Sequence, residues 1–166
     1  MSSTSHRWLI ALSDPQGEVP LPAGTPPKGA ALDALIRAAD YHGTTPAVRS
    51  NLPRLKDLPH ADPAALDATL ETLSARLLAH TAHTMALAHQ GRTIETRLRE
   101  ATLPGVIFKG PSLAETVYPR PALRSYTDID VLVPRASFAA AGKSLLAMGL
   151  TAQHDYKTDL KHDHDH

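Results

Sequence analysis

An α+β chain is expected, with a helical region first and then a small sheet with flanking helices. Three observations carry this. Apolar residues recur four and three apart at Leu66, Leu70, Leu73 and Leu77, and the same register reappears at Leu87, Ile94 and Leu98, the period of a helix face. At residue 103 the period changes: Pro104-Gly105 breaks the helix and Val106-Ile107-Phe108 reads as a short buried strand. From Asp128 to Val133 the pattern alternates, with Ile129, Val131 and Val133 facing one way and Asp128, Asp130 and Leu132 the other.

Three regions are expected in order. Residues 1–28 hold the short apolar segment Trp8–Leu12 and then Pro15, Pro20, Pro22, Pro26 and Pro27, and are read as an extended Pro-rich arm. Residues 29–102 are helical. A helix is predicted from Ala30 to Tyr41, with Leu32, Leu35, Ile36 and Ala39 on one stripe and Gly43 as its stop. A connector from Pro46 to Pro63 holds a short turn near Leu52–Leu58. Asp62 is then a good N-cap with Pro63 in the first helical position. The long register that follows passes through His80, Thr84 and Gly91, so it is weak in the middle. One long helix or two stacked ones are expected, with a kink near Gly91. His80 and His83 are read as ordinary satisfied or solvated residues.

Residues 103–166 form the third region. After the first strand, Lys109-Gly110-Pro111-Ser112 turns into a short helix, Leu113 to Tyr118, ended by Pro119 and Pro121. Pro134 closes the second strand. Ala136 to Met148 is an amphipathic helix with Phe138, Ala141, Leu145 and Met148 inward and Gly149 as its stop. Residues 150–157 read as the start of another strand.

Composition narrows the function classes. The 166 residues carry 17 Lys+Arg and 17 Asp+Glu, a formal net charge of zero, which argues against neutralising the phosphates of a large nucleic acid. The absence of Cys removes thiolate metal sites, disulfides and cysteine nucleophiles. No apolar run approaches the roughly 20 residues that span a bilayer, and Trp8–Leu12 is too short for a signal peptide. No membrane association and a cytoplasmic location are the expectation. His162, His164 and His166 alternate with Asp near the C-terminus. They are expected to take metals only adventitiously, because a chain end rarely supplies fixed geometry.

Two features carry chemistry. The strand–Gly110–Ser112–helix unit is a natural phosphate seat, since a helix N-terminus exposes backbone N–H groups and partial positive charge. Gly110 lets the backbone approach closely, Ser112 offers a hydroxyl, and Lys109 adds a charge. The second feature is Asp128-Ile129-Asp130, whose carboxylates share one face about 6–7 Å apart at Cα. Two such charges repel, and a divalent cation of the Mg²⁺ type relieves the conflict. The dipeptide spacing alone is uninformative: with 12 Asp, chance supplies about one Asp-x-Asp, and Asp163-His164-Asp165 is a second. The alternating apolar strand, the upstream phosphate seat and Arg124 supply the context.

The stretch Val106-Ile-Phe-Lys-Gly-Pro-Ser-Leu113, then Tyr118-Pro119 and Arg124-Ser-Tyr-Thr-Asp-Ile-Asp-Val-Leu-Val133, resembles the uncharacterised nucleotidyltransferase family of the DNA polymerase β-like superfamily. The segment Ala38–Pro46 and the helices after it resemble that family's helical lead-in. The resemblance implies a mixed sheet of nucleotidyltransferase type and Mg²⁺-dependent transfer of NMP from an NTP, with ATP the first expectation, to a hydroxyl of an unidentified acceptor. Asp128 and Asp130 would hold Mg²⁺ as the catalytic pair. Gly110 and Ser112 would hold the triphosphate, with Lys109 and Arg124 as supporting cations. The superfamily's Gly-Ser pair is usually adjacent, whereas Pro111 intervenes here. It also implies a third carboxylate from a later strand. Lys161–His166 looks like the stretch before that strand, so the core reads as incomplete and the chain as the N-terminal portion of a longer protein. The alternative is a catalytically inactive remnant or a non-catalytic nucleotide-binding or interaction module.

Overall fold

The computed structural model describes residues 3–153. The fold is α+β: helices α1 (Ser3–Leu12), α2 (Ala30–Tyr41), α3 (Thr45–Asn51) and α4 (Pro63–Glu100) precede β1 (Val106–Phe108), α5 (Gly110–Val117), β2 (Asp130–Leu132) and α6 (Phe138–Leu146). Short 3₁₀ turns lie at 52–55, 121–123 and 135–137.

The N-terminal segment overturns the expectation of an extended arm. Ser3–Leu12 is helical, and Trp8, Leu9, Ala11 and Leu12 are buried while Ile10 is exposed. That one-sided pattern docks α1 against α2 and α3. The prolines begin only at Pro15, one turn beyond the helix, so they do not oppose it. The segment after α1 is tied down by Asn51, whose Nδ2 donates to the carbonyls of Leu12 and Asp14 at 3.0 and 2.7 Å. The Asp14 carboxylate in turn accepts from the backbone N–H groups of Val19, Gln16 and Glu18, and the Val19 bond is the main reason its pKa lies below the ordinary value.

Helix α2 occupies the predicted range, and its chain reverses at Gly43 with φ +66°. Pro46, expected in a connector, instead sits in the first turn of α3, where its missing N–H costs nothing. The Asp62 side chain caps α4 by accepting from Ala65 N at 3.1 Å. Helix α4 then runs unbroken for 38 residues, roughly 57 Å at 1.5 Å per residue, through Gly91. Its fully buried positions are Leu66, Leu73, Thr84, Gly91, Ile94 and Leu98, all in the register expected from the sequence.

Two apolar cores share this helix. The first joins Trp8, Leu12, Leu35, Val48 and Leu52 to Leu66 and Leu73 of α4. The second joins Ile94 and Leu98 of α4 to Ile107 of β1 and Ala141 of α6, with Ile129, Val131, Val133, Leu145 and Met148 packed around them. Gly105 is the tight point of the second core: a Cβ there would lie 2.8 Å from Leu98 Cδ1. Phe138, expected inward, is 40% exposed; it follows a 3₁₀ turn at 135–137 that replaces the first turn of the predicted helix.

The two strands pair antiparallel, Val106 opposite Leu132, Ile107 opposite Val131 and Phe108 opposite Asp130. The second strand is shorter than the predicted Asp128–Val133. The ladder needs partners, and β1 ends at Phe108 because Lys109 turns away with φ +64°. Among the described residues no parallel pair joins this sheet. Residues 150–153 are not a strand, and the rest of the 150–157 expectation and the His/Asp tail lie outside the described residues.

His80 also departs from expectation. It is half-buried, and its Nε2 is shielded without a hydrogen-bond partner, so that nitrogen is neither solvated nor satisfied. Burial, with a smaller push from His83, lowers its pKa.

Two outcomes follow from this packing. Leu12→Ala should cost about 2–5 kcal/mol, read as a shift of the urea midpoint, because it opens a cavity in the first core; an unpacked arm would tolerate it with no shift. A neutral His80 is favoured by folding, so its contribution is fully present above pH 6.5. It is lost as pH falls through that value and below, because the unfolded chain then binds the proton first. The urea midpoint should therefore drop from pH 7.5 to 5.5, and His80→Gln should flatten part of that drop.

Candidate functional site

The candidate site is built where β1 ends and β2 begins. Lys109, the residue before α5, has φ +64° and ψ −152°, a region that residues with a side chain rarely enter. Gly110 follows with φ +47°. A Cβ on Gly110 would stand 3.0 Å from the carbonyl oxygen of Asp128 and 3.9 Å from the Tyr126 ring. Glycine is thus required twice over, by its backbone angle and by the close approach of the Asp128 backbone. This contact brings the turn that opens α5 against the start of the Asp-rich segment.

Asp128 and Asp130 are exposed on either side of Ile129, which packs into the second core. Lys109 reaches the same place: its Nζ lies 4.0 Å from Asp130 Oδ2 and 5.3 Å from the centre of the Phe108 ring. Both side chains are about half exposed and the contact is long, so the pair adds little stability. Lys109, Gly110, Asp128 and Asp130 are therefore brought together.

The other two predicted residues are placed differently. Ser112 lines a small groove of about 90 Å³ between α4 and α5, in company with Gly91, Arg92 and Glu115. Arg124 packs on Tyr118, its guanidinium 5.7 Å from the ring centre and its Nη1 3.5 Å from the Tyr118 hydroxyl. The Arg124 Nε is shielded and has no hydrogen-bond partner.

Two residues not singled out from the sequence hold the site in place. The Tyr126 hydroxyl donates to the carbonyl of Thr84 in the middle of α4 at 2.9 Å, a buried bond. Burial, with Glu115 nearby, raises its pKa. Pro111 packs on Gly91 of the same helix, where an added Cβ would lie 3.3 Å from Pro111 Cγ. The signal for both was the small and polar middle of the α4 seam, which marks where other segments approach closely.

The donor set fits a hard divalent cation. Two exposed carboxylates on one segment leave room for the water and phosphate oxygens that Mg²⁺ retains in its shell. Among the described residues no third Asp, Glu, His or Cys joins them in a cluster of three. No helix of the described residues is long and apolar enough to cross a membrane.

Gly110→Ala should destabilise the fold by roughly 1–3 kcal/mol, through the positive φ and the clash with the Asp128 carbonyl, seen as a lower denaturant midpoint. An unchanged midpoint would mean that the turn and the Asp128 backbone are not held in contact.

Residues 28–166 match the family model described as "Uncharacterised nucleotidyltransferase". No curated protein and no solved structure gives a match.

Proposed function

Because the chain belongs to the uncharacterised nucleotidyltransferase family, we propose that Asp128 and Asp130 hold Mg²⁺ beside a triphosphate seated at the Lys109–Gly110 turn, for transfer of NMP to an acceptor hydroxyl. The observation that carries this reading is the close packing of Gly110 on the Asp128 carbonyl, where an added Cβ would lie only 3.0 Å away, with Lys109 reaching Asp130 from the same turn. ATP is the first candidate donor.

The roles of the residues follow from their chemistry. The backbone at Gly110 admits a phosphate close to the chain, and the Gly110 N–H is the donor left at the start of α5, since Pro111 has none and the Ser112 and Leu113 N–H groups donate to the Lys109 carbonyl. Lys109 supplies a mobile positive charge that can leave Asp130 for a phosphate oxygen, since its existing contact is long and exposed. Asp128 and Asp130 would ligate the cation, which when bound neutralises triphosphate charge and polarises the phosphoryl group. Arg124, stacked on Tyr118, stiffens the segment that leads into Asp128. Ser112 supports the turn from the α4 side, and the family resemblance would give its hydroxyl a phosphate contact.

A second reading has its own observation. The described residues cluster two carboxylates and not three, which favours nucleotide binding without turnover in this chain. The two readings share the binding step and part at product formation.

In calorimetry, ATP should bind in the presence of Mg²⁺, and Asp128→Asn or Asp130→Asn should weaken it at least tenfold without changing the thermal unfolding midpoint by more than a few degrees. Equal affinity in the variants, or with the metal chelated, would contradict the metal assignment. Transfer of an α-phosphate label to components of a cell extract separates the enzyme from the binding module.

A further inference from the structure

We propose that the groove between α3, α4 and the 3₁₀ turn at 121–123 binds a small phosphomonoester carried on an apolar body. The groove has a volume of about 310 Å³, and none of the candidate site residues line it. That volume is at the lower end for small-molecule sites.

Its charge balance is one-sided. Arg49 and Arg120 both line it, and no Asp or Glu does. Arg49 donates through Nε and Nη2 to Ser74 Oγ at 3.1 and 2.9 Å, and Arg120 donates through Nη2 to Ser50 Oγ at 2.7 Å. Neutral hydroxyls therefore orient both guanidiniums without cancelling their charge, and neither takes part in an ion pair among the described residues. Arg76 and Arg92 contrast with them, pairing with Asp40 at 2.8 Å and with Glu115 at 3.0 Å. The carbonyl end of α3 accounts for a cation at residue 49. It does not account for Arg120, which arrives from a segment 70 residues further along the chain.

Guanidinium stays charged at any working pH, and its fork matches phosphate oxygens in pairs. A phosphomonoester carries a charge of about −1.5 to −2 at pH 7, which suits two cations better than a carboxylate does. Apart from Ser50, Ser74 and Thr81, the rest of the groove is apolar. Leu77 and Leu123 line it, and Leu78 is 74% exposed at its side. A ligand with an anionic head and an apolar body covers that surface while its head meets the two arginines.

Calorimetry on the full chain with phenyl phosphate, inorganic phosphate and benzyl alcohol tests this. Phenyl phosphate should bind at least tenfold tighter than either of the other two probes. The double variant Arg49→Gln/Arg120→Gln should lose at least tenfold in its affinity. Leu78→Asp, at an exposed position that leaves folding intact, should weaken it as well by placing a carboxylate beside the cations. Lys109→Gln should leave it unchanged. Equal affinity for inorganic phosphate, or for benzyl alcohol, would overturn the proposal. So would binding that survives both groove variants, or binding abolished by Lys109→Gln, which would locate the phosphomonoester at the other turn.

Discussion

The structure depends on one long helix whose seam changes character along its length. At its ends α4 presents Leu66 and Leu73 to one core and Ile94 and Leu98 to the other. Between them lie Thr84 and Gly91, buried but small or polar. These are the two places where the candidate site is anchored: the Tyr126 hydroxyl on the Thr84 carbonyl, and Pro111 on Gly91. Tyr126 lies two residues before Asp128 and Pro111 one residue after Gly110. A larger side chain at 91 would push the α5 turn outward, and a lost bond at 84 would free the approach to β2. The helix thus buttresses, from its own side, two segments that the β1–β2 ladder already joins.

Strain is concentrated between those anchors. Lys109 occupies a backbone region costing of order 1–3 kcal/mol for a residue with a side chain. The β1 ladder on one side and the packing of Pro111 on the other over-determine this conformation. Its result is that the chain turns from a strand into a helix within one residue, with Gly110 set against the Asp128 carbonyl. The same turn ends β1 and so shortens β2, leaving Asp128 outside the paired ladder. Site geometry and sheet length are two consequences of one backbone angle.

Much of this was legible in the residues, and the exceptions have causes. The α4 register was readable throughout because ten positions share one period, even where side chains are polar. The alternation of Ile129, Val131 and Val133 gave the inward face of β2 correctly, but not its length, which pairing decides. The α1 helix was missed because ten residues span fewer than three turns and the following prolines drew the reading. Burial of Trp8 and Leu12 against α2 and α3 is a tertiary effect that no local pattern carries. Asp128, Asp130, Lys109 and Gly110 were grouped from spacing and context. The divergent settings of Ser112 and Arg124 depend on which way α5 and its following segment rotate against α4. Tyr126 and Pro111 carried no local signal, since their role exists only through Thr84 and Gly91.

Tyr126 on Thr84 and Pro111 on Gly91 hold the Asp128–Asp130 segment and the Gly110 turn against α4, and the metal–phosphate site proposed there has a direct test. Substoichiometric Mn²⁺, added with a non-hydrolysable ATP analogue to ¹⁵N-labelled protein, tests it through distance-dependent broadening of backbone amide signals. Gly110, Ser112 and Asp128–Asp130 should broaden together, ahead of α2 and α3. Broadening confined to residues 128–130, with Gly110 and Ser112 left sharp, would contradict it.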